Sequence, residues 1–367
     1  MLVLGMLLVS DLVVLVQSTG VMYSTTANLT IAYNVGAGAG MMYGVQVASG
    51  IVVAMSYVAS EEYAFNTLDS AQRDASYGWI LRGLHSNMAS GVFLCMYLHA
   101  TRSWCYSVLS SVHLAVWVAG IVAWLVMMGV AFMGYVLPWG LMSYWALTVI
   151  TNLMTVIPLV GVDVLCYCWG GYFITTITVQ RMLALHYLLP FVILCGLVVH
   201  LGMLHVMGSG SASTVPGGVL DGEPFLVYYY KDIYVLGLLL VLVLGVLLSY
   251  PDTLHHPDNF CYVDRYVTPK HIVPEWYFLP FYSMLRACSV KALGVVLLGG
   301  AVVVYIVLAL VSVSVRYRRS AMQVLEASLH VALLVVLGIL GQCPPVYPYV
   351  DISGWGTVLV IAVHCLF

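Results

Sequence analysis

The feature that most constrains this chain is a series of apolar runs, each long enough to cross a lipid bilayer. A spanning helix needs about 20 mostly apolar residues. Eight stretches read as spans: A over about 31–56, B about 79–104, C about 113–135 and D about 179–206. E covers about 232–249, F about 291–312, G about 321–340 and H about 347–366. Only 7% of the 367 residues are charged and 62% are hydrophobic, whereas soluble domains carry roughly 25% charged residues. So few charges cannot coat a soluble surface of this size. The expected fold is an all-α membrane protein with about eight transmembrane helices, surrounded by lipid. The net charge is −3 and there is no basic block, so nucleic acid is not an expected partner.

Residues 207–224 are rich in Gly, Ser and Pro and mark a boundary between two helical bundles. The expected domains are 1–210, a four-helix bundle of A–D, and 211–367, a C-terminal bundle of E–H. Residues 138–155 are apolar but begin Pro138-Trp139-Gly140, and read as a short helix on the membrane surface. The polar segment 251–290 carries Pro251, Pro257, Pro269, Pro274 and Pro280. It is too long for an idle linker and is expected to be ordered and functional. Arg316, Arg318 and Arg319 cluster between F and G, which assigns that loop to the positive-inside side. Counting back, the 138–155 and 251–290 segments meet on the outer face. The first 25 residues show no basic n-region and no small-residue cleavage site, so no cleaved signal peptide is expected. The nine cysteines are scattered, and Cys166 and Cys168 lack a metal-ligand or redox spacing. All nine read as small buried hydrophobes.

One spacing recurs four times. His85 and His99 in B are fourteen residues apart, as are His186 and His200 in D. Fourteen steps of about 100° return to within about 40° of the starting direction and rise about 21 Å. Each helix therefore presents two imidazoles on one face, one near each leaflet. B and D run the same way, so His85 pairs in depth with His186, and His99 with His200. Gly36 and Gly50 in A, and Gly120 and Gly134 in C, repeat the spacing. Glycine lets a flat group approach the helix backbone. Two helices supplying axial nitrogens and two supplying flat seats are what two stacked planar macrocycles require. Neutral imidazole is a good ligand for haem iron, and two histidines fill both axial positions. Such an iron carries electrons and binds no oxygen. Arg82 lies one turn before His85, Arg102 about one turn after His99, and Arg181 five residues before His186. Each can partner a haem propionate. For a single intramembrane histidine, an inter-helix hydrogen bond is an equal alternative. Four at matched depth, with two matching glycine pairs, favour ligands. His113, His330 and His364 have no such partners and read as loop or helix-end residues.

The chain resembles the cytochrome b family of the mitochondrial and bacterial bc complexes from about residue 33 to 350. The stretches that carry the resemblance are 78–85 (GWILRGLH), 132–140 (FMGYVLPWG), 149–153 (VITNL) and 274–277 (PEWY). The resemblance implies that His85 and His186 bind an outer, low-potential haem b, and His99 and His200 an inner, high-potential one. It implies that Glu275 and Tyr282 line an outer quinol-oxidising site, and that His205, Lys231 and Asp232 belong to an inner quinone-reducing site. Quinol loses two electrons and two protons, so a base is needed near the ring. Burial in an apolar pocket would raise the pKa of Glu275 and suit it to take a proton and pass it on. The alternative for Glu275 is a helix-cap role, and for Lys231 and Asp232 interfacial anchoring.

As a member of that family the chain would oxidise ubiquinol outside and reduce quinone inside, moving protons across the membrane in a Q cycle. Implied partners are a Rieske iron–sulfur protein, a cytochrome c-type subunit and other complex III subunits, in a homodimeric complex. The implied location is the mitochondrial inner membrane, with a bacterial cytoplasmic membrane less favoured. The competing reading is a dihaem b membrane anchor of another quinone-linked dehydrogenase, which would lack the outer site. Some positions depart from the family pattern. Tyr33 stands where Trp is usual, and Leu141 where Gln is common. The stretch after His205 reads 206–212 (VMGSGSA). Ala146 stands where Gly is usual, and its extra methyl is expected to narrow the outer pocket.

Overall fold

The computed structural model describes residues 13–14, 17–106, 113–209, 222–312 and 321–366. The 210/211 domain boundary and the Arg316, Arg318 and Arg319 cluster lie outside the described residues. A short strand β1 (Ser24–Thr26) precedes α1 (Val35–Ala54), α2 (Ala64–Asp74), α3 (Gly78–Cys105) and α4 (Leu114–Val136). There follow α5 (Leu141–Asn152), α6 (Gly161–Trp169), α7 (Thr176–Met207), β2 (Gly222–Pro224) and α8 (Tyr229–Ser249). The chain ends with α9 (Leu279–Arg286), α10 (Lys291–Ser312), α11 (Ala321–Gln342) and α12 (Tyr349–Leu366).

All eight expected spans are helices, as α1, α3, α4, α7, α8, α10, α11 and α12. Among the described residues, five helices are long and apolar enough on their own to cross a membrane. The longest is α7, whose start is fixed by a reciprocal capping box between Thr175 and Thr178. α3 falls short of that test because its 28 residues hold Arg82, His85, Asn87, His99 and Arg102. That polar load is what makes it interesting. In lipid a helix tolerates such residues only where they face the bundle interior.

α1 packs along α3, and α4 along α7, giving a four-helix bundle. α8 lies against α1 and α3. α9 wedges among α10, α11 and α12, while α11 reaches back to α3 and α10 to α4. One buried cluster therefore spans both halves, with Met42, Met88, Phe93 and Trp124 from the first and Tyr277, Phe281, Met284 and Leu337 from the second.

Three expectations need correction. The surface helix starts at Leu141 and not at 138, because Pro138 and Trp139 form a turn in which Trp139 has φ 56° and is wholly buried. Of the eight described cysteines only Cys95 is buried, and Cys195 and Cys261 are exposed. Cys195 lies on the spanning α7, where a residue needs no burial in protein to escape water, since lipid is as apolar as leucine; Cys261 lies in the polar 251–290 segment. His330 is neither in a loop nor at a helix end. It sits mid-way along α11, buried, with Nε2 2.7 Å from the Tyr305 hydroxyl of α10. His113 does lie at a helix end, before α4, with Nε2 2.9 Å from the Gly208 carbonyl. His364 falls in the last turn of α12.

Candidate functional site

α3 and α7 bring the four histidines into two pairs. The ring centres of His85 and His186 are 6.3 Å apart with planes at 89°, and those of His99 and His200 are 6.4 Å apart at 67°. Two metal–imidazole bonds of about 2 Å each, plus the inner half of each ring, span about 6 Å. Each pair is thus spaced to hold one metal ion between two nitrogens. Among the described residues no three His, Cys, Asp or Glu gather into a chelating group. Two nitrogens leave the remaining coordination positions to a macrocycle, so the donor set fits haem and not a bare ion.

The glycines explain why the rings fit. A Cβ at Gly134 would lie 2.5 Å from His186 Cε1, and one at Gly50 2.7 Å from His85 Cε1. At Gly36 it would lie 2.7 Å from His99 Cε1, and at Gly120 3.3 Å from His200 Cε1. Each glycine of the fourteen-residue repeat therefore faces one histidine of the other repeat, at matched depth. The second nitrogens are also set. His186 Nδ1 lies 2.8 Å from the Val130 carbonyl, which can only accept, so Nδ1 carries the proton and Nε2 keeps its lone pair. His85 Nδ1 lies 3.0 Å from Ser49 Oγ. The Val116 carbonyl, fourteen residues before Val130, is the neighbour of His200, without reaching hydrogen-bond geometry. Arg102 Nε and Arg181 Nη1 are buried donors with no acceptor, and Arg82 Nη1 donates to Gln72 Oε1 at 2.8 Å. Arg102 also stacks 4.2 Å over the Tyr33 ring, so the tyrosine at this position packs on a cation. Unpaired buried guanidinium N–H groups suit carboxylates such as propionates.

One apolar cavity joins the outer pair to the 251–290 segment. His85, His186, Gly50, Gly134 and Arg82 line one side, and His255, Asn259, Phe260, Glu275 and Tyr277 the other. The second side is held by specific ties. Trp276 Nε1 donates to Ser90 Oγ at 3.0 Å, Tyr97 donates to the Tyr277 carbonyl at 2.7 Å, and Phe93 stacks on Tyr277 at 4.1 Å. The 138–155 segment meets the same face. Leu141 N–H donates to the Cys261 carbonyl at 3.0 Å and Ser143 N–H to Asn259 Oδ1 at 2.9 Å. Gly140 is required there, because a Cβ would lie 2.2 Å from the Asn259 carbonyl oxygen. Glu275 is mostly buried, with Oε1 3.9 Å from His255 Nδ1. Burial pushes the Tyr277 phenol well up, with the Glu275 charge adding to it.

Two expected residues stand apart from this cavity. Tyr282 donates to the Ile272 carbonyl at 2.8 Å and lies under Arg286, 4.3 Å from its ring. Burial raises its phenol and Arg286 partly offsets the rise. Ala146 is buried on α5 and is not among the residues lining the cavity.

At the other end, the three expected inner residues are tied to the N-terminal segment. Tyr23 stacks on His205 at 4.4 Å, the Leu29 carbonyl accepts from Lys231 Nζ at 2.9 Å, and Asn34 Nδ2 donates to Asp232 Oδ1 at 2.6 Å. β1 pairs antiparallel with β2, which anchors that segment beside α8. Residues 1–30 carried no functional expectation, yet Tyr23 and Leu29 hold the inner side chains. No motif marks them. The signal is long-range, across about 200 positions of sequence in each case.

The profile of the family described as cytochrome b/b6/petB matches residues 21–208, and that of cytochrome b(C-terminal)/b6/petD matches residues 262–361. Cytochrome b of Candida parapsilosis is 40% identical over 339 residues, covering 91% of this chain and 88% of its own. The chain belongs to the cytochrome b family. Cytochrome b of Phytophthora megasperma is 39% identical, covering 90% of this chain and 87% of its own. That of the bacterium Rhodospirillum rubrum is also 39% identical, covering 92% and 84%. A solved structure described as hyperthermophilic respiratory complex III aligns with TM-score 0.85 at 25% identity, covering 94% of this chain and 92% of that one. Family membership makes the chain a multi-pass membrane protein of respiratory electron transport. The two family segments leave out residues 209–261, so α8 belongs to neither profile, although it packs on the first bundle.

Proposed function

We propose that this cytochrome b family chain oxidises ubiquinol at the outer cavity, passes electrons across the membrane through two bis-histidine b haems, and reduces quinone at the inner end. The observation that carries the reading is the pair of ring separations, 6.3 and 6.4 Å, on helices that also face the matched glycines. When bound, the haems would supply one-electron carriers. His85 and His186 would hold the outer one, His99 and His200 the inner one, and Arg82, Arg102 and Arg181 would take the propionates.

The chain's own residues manage protons and position. The outer cavity is walled by Phe93, Tyr277 and Phe260, which exclude water from the reacting ring. Glu275 opens into it and takes a quinol proton. At the inner end Asp232 and His205 give protons to quinone, with Asn34 fixing the Asp232 carboxylate and Lys231 balancing charge. Tyr282 and Ala146 are assigned supporting roles behind the outer site, through Arg286 and α5. The electrons leave the outer site in two directions, one to a Rieske iron–sulfur protein and one into the chain, and a cytochrome c-type subunit drains the first. We assign the chain to a homodimeric complex III of the mitochondrial inner membrane. Its 62% apolar composition suits synthesis inside the organelle.

The test is a stepwise reductive titration of the protein purified in mild detergent, followed by visible absorbance. Two b-type transitions at separate potentials support the reading. One transition, or none, overturns it.

A further inference from the structure

We propose that His255 is the relay that takes the proton from Glu275 at the outer site and hands it to water. This deepens the quinol-oxidation reading above and rests on it. His255 lies in the irregular segment between α8 and the turn Pro257–Phe260. It lines the same cavity as Glu275 and the outer histidine pair. Its Nδ1 is 3.9 Å from Glu275 Oε1, and the two side chains are 16% and 11% exposed. The glutamate is thus the deeper group and the imidazole the one nearer water.

Ser86 Oγ lies 3.3 Å from the Gly83 carbonyl and 3.1 Å from His255 Nε2. With its hydrogen on the Gly83 carbonyl, Ser86 accepts from Nε2, and Nδ1 then presents a bare lone pair to the carboxylate. Two acceptors facing each other across 3.9 Å gain nothing from their contact. One added proton converts them to a hydrogen-bonded ion pair. The arrangement is built to receive a proton.

The surrounding charges do not take over that task. Tyr135 of α4 lies near Glu275 and Asp258. Tyr277 is wholly enclosed and stays protonated, its phenol pushed up by burial. Arg82 of α3 is engaged by Gln72 and faces Asp252 and Asp69. His256 is turned to Asp258, accepting its N–H at 3.2 Å. Glu275 and His255 carry one of the two quinol protons: a quinol O–H bond breaks, a Glu275 O–H bond forms, and that proton moves to His255 and on to water at the exposed edge. The second O–H bond breaks as its proton leaves with the electron that goes to the iron–sulfur protein of the proposed reaction, and the other electron goes into the chain.

The test uses the intact complex, with quinol-to-cytochrome c turnover measured from pH 5 to 9 and haem spectra recorded on each preparation. His255→Ala is expected to lower turnover about 10²-fold at neutral pH, as loss of a proton-transfer group does at the low end. It should also remove the acid limb of the pH–rate profile. Added imidazole should restore part of the rate. His255→Gln keeps an N–H for Ser86 but cannot titrate, and is expected to show the same loss of the limb. A His255→Gln complex with normal haem spectra and the unmodified pH profile overturns the relay. An unmodified complex that fails to oxidise quinol overturns instead the functional reading on which the relay rests.

Discussion

Adding one methyl group at Gly134 should disable the outer haem site and spare the inner one. In Gly134→Ala the new Cβ would stand 2.5 Å from His186 Cε1, 3.0 Å from Nδ1 and 3.1 Å from Nε2. The first contact is about 0.9 Å inside the 3.4 Å at which ordinary van der Waals contact begins. The ring cannot simply tilt away, because Nδ1 is held to the Val130 carbonyl at 2.8 Å. Moving it breaks that bond or misplaces the ligand nitrogen. Overpacking of this kind costs about 1–3 kcal/mol, roughly a 5- to 150-fold loss of occupancy at that site. Gly120→Ala is the internal control. Its Cβ would sit 3.3 Å from His200 Cε1, only about 0.1 Å too close, and should be tolerated. Pyridine haemochrome counts and a redox titration on both variants make the measurement. One b-type transition should survive in Gly134→Ala and two in Gly120→Ala. Equal loss in both, or two intact transitions in Gly134→Ala, would refute the pairing of glycine with imidazole.

Three further outcomes are expected. Glu275→Gln should slow quinol oxidation by about 10²-fold or more while both haem transitions stay in place, as read by quinol-driven haem reduction in the stopped flow. Arg286→Ala should lower thermal stability by about 2–4 kcal/mol, because its Nη2 donates to the Leu340, Gly341 and Cys343 carbonyls at 3.2, 2.8 and 3.1 Å, and water must replace it; a melting temperature within a degree of the parent would count against that clamp. Stability should fall as pH rises above about 10, the ordinary phenol range. Tyr277 and Tyr282 are raised by burial in the folded chain, so the unfolded chain ionises first and gains over the folded one; alkaline melting curves that stay flat from pH 9 to 11 would contradict it.

What the sequence made legible was whatever repeats locally. A spacing of fourteen is a property of one helix, and a helix of regular pitch carries it unchanged into the structure. Thus the pairs His85–His186 and His99–His200 could be assigned by depth before any contact was seen. The partner of each glycine could not. Opposing Gly134 to His186 depends on how α4 and α7 are rotated about their axes, which no local pattern records. The short helices α2 and α6 were missed because about ten residues fall below the span length that drove the reading. His330 was misjudged for a related reason. A lone polar residue in a span looks unpartnered until the neighbouring helix supplies Tyr305. The inner end was the least legible part, since Tyr23, Leu29 and Asn34 reach His205, Lys231 and Asp232 only through the pairing of two three-residue strands.

The middle of the bundle and its ends do different work. The middle is nearly symmetric, with two histidine pairs of almost equal separation and four glycines in register. Nothing in that repeat distinguishes oxidation from reduction. The ends differ in construction. At one end, Pro138 and residues of segment 255–277 line a single apolar cavity that reaches from a carboxylate to a histidine pair. At the other, a strap from the N-terminus packs a tyrosine, an amide and a carbonyl onto a histidine, a carboxylate and an ammonium. An apolar cavity that holds a carboxylate suits a substrate that must give up protons and electrons out of contact with bulk water. A polar cluster rich in donors suits one that must collect protons. On the proposed reading, direction is therefore written in the caps of the bundle, and swapping residues within the repeat should change haem retention without reversing the flow.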